Sequence, residues 1–309
     1  MAVSEILNSL AMIFIMIIPG IILSKKDIIS EDQSQGISAI VVNLTWPCLV
    51  INGMQIAYSR QTLLNCGYIC IIMVVAFFIA FAVSYMIVKI IKLKIEKAYL
   101  FSFMLIFANT GFMGIPVINA LYGSGAVFYA SIVEMVNDIF LFTVGLILIQ
   151  LSAGTNTRID LKGLLTPGVF GIITGFSLFL LDIHLPGFLG SAVKITGAAT
   201  TPLTMLVIGL QLGRMDVRDF LRDKSIYLLS FLKLLILPGA VFILVRFGLG
   251  DASLLAKVVI MEFAMPVAAC ATIFSQQYKS DVQFATRGVL VSTVFSVITL
   301  PVFAILLEV

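Results

Sequence analysis

Asn109, Thr110, Gly111, Met113, Gly114, Pro116 and Asn119 all fall inside one apolar run, AYLFSFMLIFANTGFMGIPVINALYG. A proline in such a run removes a backbone donor and crowds the carbonyl four residues back. The spacing predicts two half-helices with an unwound middle near 111–115. Lipid cannot satisfy the freed main-chain groups, so protein, or water or a solute in a cavity, must do so. A second interruption, EFAMPVAAC, carries Pro266 and Val267. It predicts a break near Ala264 and Met265, with Pro266 in the first turn of the half-helix beyond it. If two such half-helices began at one point, their N–H groups and partial positive charge would suit a carboxylate or another small anion. A proline kink that holds no ligand is the competing reading.

Ionisable groups in apolar runs form the second set. Glu134, Asn137 and Asp138 in SIVEMVNDIF lie three and four apart, on one helical face. Glu262 comes one turn before Pro266. A carboxylate in this setting could bind a sodium ion or take a proton. Structural pairing is the alternative for each. Lys233 either pairs with a carboxylate or extends its stem toward the cytoplasmic face. Ser292, Thr293, Ser296 and Thr299 make a hydroxyl stripe of the kind that packs helices or lines a pathway.

The elements that position these groups must be membrane helices. The chain has 309 residues, 61% hydrophobic and 11% charged, with a mean hydropathy of +1.14. A soluble domain is nearer half apolar and a quarter charged. About 20 apolar residues make a span, and ten segments qualify: 5–24, 36–57, 62–91, 98–121, 125–151, 164–183, 189–212, 225–249, 252–277 and 282–307. The loops after alternate spans hold Lys25, Lys26, Lys89, Lys92, Lys94, Lys97, Arg158, Lys162, Arg214, Arg218, Arg222, Lys224, Lys279 and Arg287. The positive-inside rule makes those loops cytoplasmic and puts both termini outside.

Ten spans predict an all-α membrane protein of two inverted five-helix repeats, about 1–152 and 160–309, within a single transmembrane domain. Broken spans 4 and 9 would cross in mid-bilayer. Pro47 in NLTWPCLVI is echoed by Pro202 in AATTPLTMLVIG, as Pro116 is by Pro266. Matched interruptions of this kind point to a transporter site. Asn43, Pro47, Thr201 and Pro202 are its candidates on spans 2 and 7.

Other chemistries find little support. The four cysteines form no CxxC pair, and His184 is the only histidine. This argues against a metal centre. No nucleophile and base stand together, nothing resembles a P-loop, and a net charge of +3 does not suggest nucleic acid.

NTGFMGIPVINALYG, AMPVA, SEDQSQGISAIVVNLTWPCLVI and LTPGVFGIITGFSLFLLDIHLP together resemble the auxin efflux carrier family in its short bacterial branch, over most of the chain. That family's bacterial members include proteins assigned to malonate and malate transport. Its known structures resemble the bile-acid sodium symporter fold. The resemblance implies a scaffold of spans 1, 2, 6 and 7, which also carries a homodimer contact. It implies a moving unit of spans 3–5 and 8–10. It places Asn109, Pro116 and Pro266 at the crossover. The long cytoplasmic loop of the plant members is missing, so auxin is not implied as the solute. The expected protein is a non-enzymatic secondary carrier of a small organic anion in the bacterial cytoplasmic membrane. It would contact lipid and carry no cofactor beyond coupling to sodium or protons. A channel, a solute sensor and a membrane-embedded enzyme are the alternatives.

Overall fold

The computed structural model describes residues 3–155, 166–214 and 223–308. These are helical nearly throughout. In chain order the helices are α1 Val3–Lys25, α2 Glu31–Gly53 and α3 Arg60–Ile91, then α4 Ile95–Ile106 and α5 Thr110–Tyr122. They continue with α6 Ser124–Ser152, α7 Pro167–Leu180, α8 Gly187–Gly213 and α9 Lys224–Gly248. The last three are α10 Leu254–Phe263, α11 Cys270–Tyr278 and α12 Val282–Leu306.

Local signals set many of the ends. Ser30 opens α2 with a capping box: its side chain accepts from Gln33 N–H while the Gln33 side chain accepts from Ser30 N–H. Thr166, Asp223, Ser253 and Asp281 cap α7, α9, α10 and α12. Gly123, at φ 78°, makes the tight turn between α5 and α6.

The ten-span, two-inverted-repeat architecture expected from hydropathy is not what forms. Seven helices among the described residues are long and apolar enough to cross a membrane: α1, α2, α3, α6, α8, α9 and α12. Three expected spans fall short. Segment 98–121 is split between α4 and α5, and 252–277 between α10 and α11. The described part of 164–183 gives only the 14 residues of α7, about 21 Å against a hydrocarbon core of about 30 Å. Hydropathy reports that a segment tolerates an apolar surrounding. It does not report that the helix is continuous. The loop positions Arg158, Lys162, Arg218 and Arg222 lie outside the described residues.

Two compact units divide the chain. The first is Met1–Gly67, Gly111–Met135 and Leu165–Met215. Close helix approach builds it. Gly20 of α1 and Gly209 of α8 face each other so tightly that a Cβ on Gly209 would meet the Ile17 carbonyl and the Gly20 Cα. Small residues let membrane helices make this kind of contact. A Cβ on Gly168 of α7 would enter the indole of Trp46, and one on Gly171 would lie 2.9 Å from the Pro47 Cα.

The second unit is Tyr68–Thr110, Val136–Leu164 and Asp216–Val309. Phe77 of α3 anchors its core. Its ring stacks on Phe140 at 4.4 Å and meets Phe107 at 5.8 Å and Phe263 at 5.7 Å. On another face of α3, Ile71, Phe78 and Tyr85 repeat every seven residues and are exposed, as a lipid-facing stripe requires.

Candidate functional site

The site begins where α4 ends. Phe107 turns extended, at φ −87° and ψ 128°, and Asn109 N–H donates to the Pro266 carbonyl at 2.8 Å. Ala268 N–H donates back to the Phe107 carbonyl at 3.1 Å. Ala108 and Val267 thereby form an antiparallel bridge between two interrupted helical stretches. Val267 N–H donates to Ser292 Oγ of α12 at 3.1 Å. The broken main chain is thus satisfied largely by protein, as a water-poor surrounding demands.

This geometry corrects several expectations. The first break lies at Phe107–Asn109, before any glycine or proline. A wide π turn at Thr110–Gly114 comes next, and Pro116 sits in the first turn of the regular helix beyond. Pro266 lies in the gap between α10 and α11, not in the first turn of α11. The Asn109 and Val267 amides are engaged, so they are not idle donors waiting for an anion.

Lys233 does not reach toward an aqueous face. It is fully buried, on a π turn of α9 at Leu232–Ile236. Its Nζ donates to the Ile106 carbonyl at 3.2 Å. Ile106 closes α4, so the lysine nitrogen caps the negative end of that helix dipole. The lysine is visible in the sequence, but its role as a C-terminal cap depends on two helices far apart in the chain.

Beside the bridge is a small cavity walled by Met73, Phe77, Ile106, Ala108, Thr110, Asn137, Glu262 and Phe263. It has room for about one water-sized particle. The structure therefore brings together Thr110, Asn137 and Glu262 from α5, α6 and α10, and sets Asn109, Pro266 and Val267 next to them. Glu262 is 0% exposed. Asp138 is also buried but is not a wall residue. Ser292, Thr293 and Ser296 are buried and donate to carbonyls of their own helix.

The remaining candidates belong to the first unit. Gly111, Met113, Gly114 and Pro116 are buried and Asn119 is half-buried. A Cβ on Gly111 would lie 2.5 Å from Glu134 Oε1 and 3.1 Å from the Trp46 ring. Glycine leaves room for this carboxylate, in its present position, against the start of α5. Sequence reasoning misses Trp46, whose indole also covers Gly168. Its position in NLTWPCLVI is the available signal. Asn43 is exposed and donates to its own Ala39 carbonyl at 2.8 Å. Pro47 and Thr201 are half-buried and Pro202 is exposed.

Long apolar helices around a buried, main-chain-paired interruption with a carboxylate at its edge define an integral membrane protein with a polar site inside its apolar core. Comparison with known proteins narrows the class. Residues 5–160 and 155–304 match the family model described as Membrane transport protein. The chain belongs to that family, and this makes it a transporter and not an enzyme.

The chain is 24% identical over 299 residues to an uncharacterized transporter of Methanothermobacter thermautotrophicus, covering 96% of each chain. It is 22% identical to an uncharacterized transporter of Methanocaldococcus jannaschii, over 93% of this chain and 94% of the other. It is also 24% identical to the lysosomal cholesterol signaling protein of Mus musculus, where 96% of this chain matches 37% of that protein.

Proposed function

We propose that the protein is a secondary carrier for a small organic anion such as a carboxylate, working by alternating access as an auxin efflux carrier-like transporter. The observation that carries this reading is the paired interruption: Ala108 bridges Val267 beside a cavity with Thr110, Asn137 and Glu262 in an otherwise apolar wall. Polar groups buried in a membrane protein away from lipid mark solute and ion pathways.

A cavity of this size holds water but not an organic acid, whose sites are typically about 300–1,000 Å³. Solute must therefore bind when the interruption opens. Its contacts in this reading are Asn109, Thr110, Pro266 and Val267 of the second unit; Gly111, Met113, Gly114, Pro116 and Asn119 are the separate candidates of the first unit. Glu134, Asn137, Asp138 and Glu262 are the coupling candidates. A bacterial cytoplasmic membrane location, cytoplasmic lysine-rich loops and a homodimer contact through α1, α2, α7 and α8 complete the reading. Charge distribution supports the loop placement; the family resemblance supports the dimer.

Counterflow tests it. Proteoliposomes loaded with unlabelled malonate, malate or an indole acid should take up the labelled compound with saturation and trans-stimulation. Flux without trans-stimulation would indicate a channel. Chemical conversion of the solute would indicate an enzyme.

A further inference from the structure

We propose that the cavity of the second unit is a proton site, in which Glu262 takes up and returns the proton that accompanies the solute. The inference deepens the carrier reading and rests on it for the identity of the cargo, but not for the existence of the site.

The wall itself limits what can bind. Its residues with polar side chains are Thr110, Asn137 and Glu262; Met73, Phe77, Ile106, Ala108 and Phe263 have apolar ones. Hard metal cations seek a full shell of oxygen ligands, about six for the octahedral case. A water needs only two to four polar partners. The space has room for about one water-sized particle.

The neighbouring main chain is also occupied. Lys233 Nζ is bonded to the carbonyl of Ile106, a wall residue. That carbonyl already accepts one hydrogen bond, which leaves it less able to serve as a cation ligand.

The other groups on the surrounding elements do not offer the same chemistry. On α6, Asp138 comes after Asn137 and is buried outside the wall. On α10, Lys257 is engaged with Glu308 at 2.7 Å. At this level α12 brings the hydroxyls of Ser292, Thr293 and Ser296, and its Arg287 lies nearer the helix start. From α3 come only Met73 and Phe77. Glu262 is the one ionisable side chain in the wall among the described residues.

The step balances simply. Hydronium passes a proton to a Glu262 carboxylate oxygen and leaves water. On the other face of the membrane the carboxyl O–H returns that proton to water. One O–H bond forms as another breaks, and no electrons are exchanged.

The first test needs no solute. Infrared difference spectra of the purified protein in sodium-free buffer should show a protonated-carboxyl band that titrates and that is missing in Glu262→Gln. The same band in the variant would overturn the assignment. So would thermal stabilisation of the wild type by sodium chloride but not by choline chloride at equal ionic strength.

The second test uses malonate in proteoliposomes with the voltage clamped at zero. Coupling to one proton gives about tenfold accumulation per unit of pH gradient. Glu262→Gln should lose this response, whatever rate of exchange survives. Accumulation driven by a sodium gradient instead would overturn the proton site. A wild type that exchanges no carboxylate, yet shows the titrating band, would defeat the carrier reading and leave the proton site standing.

Discussion

Asn109 N–H and the Pro266 carbonyl are 2.8 Å apart, and through this bond two broken helical stretches are tied main chain to main chain. The Asn109 side chain takes no part in the tie, so backbone and side-chain roles can be separated by mutation. Asn109→Ala keeps the N–H and should be less destabilising than a variant that removes it, while weakening solute binding in proteoliposomes. Asn109→Pro removes the donor and strands a buried carbonyl, a cost of about 1–3 kcal/mol. A lowered unfolding temperature in detergent measures it. Equal stability of the two variants would show that the tie contributes nothing.

Gly168 is a packing requirement. A Cβ there would enter the Trp46 ring, and overpacking of this kind costs about 1–3 kcal/mol. Gly168→Ala should lower the unfolding temperature. Gly36 has open space around its Cα, so Gly36→Ala is the matched control and should not be destabilising.

Lys233→Met retains most of the buried stem but removes the donor to the Ile106 carbonyl. The stranded carbonyl should cost about 1–3 kcal/mol, and the end of α4 loses its cap. Faster hydrogen exchange in residues 103–106 than in the rest of α4 would locate the effect. Uniform exchange along α4 would count against a capping role.

Outside the spans, Lys97 pairs with Asp223 at 2.6 Å, and the Asp223 carboxylate also accepts from Ser225. Burial alone would raise this carboxyl, but the bonds from Lys97 and Ser225 and the lysine charge together hold it below its ordinary 3.8. A depressed carboxyl stabilises the fold above its unfolded value and loses that contribution as pH falls through its folded value. The loss therefore belongs below pH 3.8. Asp223→Asn should destabilise the protein at neutral pH and be nearly silent at about pH 2–3. The half-exposed pair limits the effect to about 1 kcal/mol or less. Unfolding temperatures of both proteins across that range provide the check.

The sequence made the polar interruptions legible through Asn, Gly and Pro in apolar runs, and it marked Thr110, Asn137 and Glu262, which meet in one cavity. It did not locate the first break. Phe107 and Ala108 carry no helix-breaking signal; they are extended because Val267, far along the chain, offers a bridge partner. The number of spans failed for a related reason. Every stretch that is buried in protein reads as apolar, whether it continues as helix through 98–121 or divides there. The dependence of Trp46 on Gly168 was equally hidden, since each residue taken alone is unremarkable in a membrane helix.

The bridge between Ala108 and Val267 uses atoms that nearly every amino acid possesses. Its hydrogen bonds constrain backbone shape and leave the identities of the attached side chains almost free. Descendants of such a chain could exchange one cargo for another by altering what projects from the joint, while inheriting the joint itself intact.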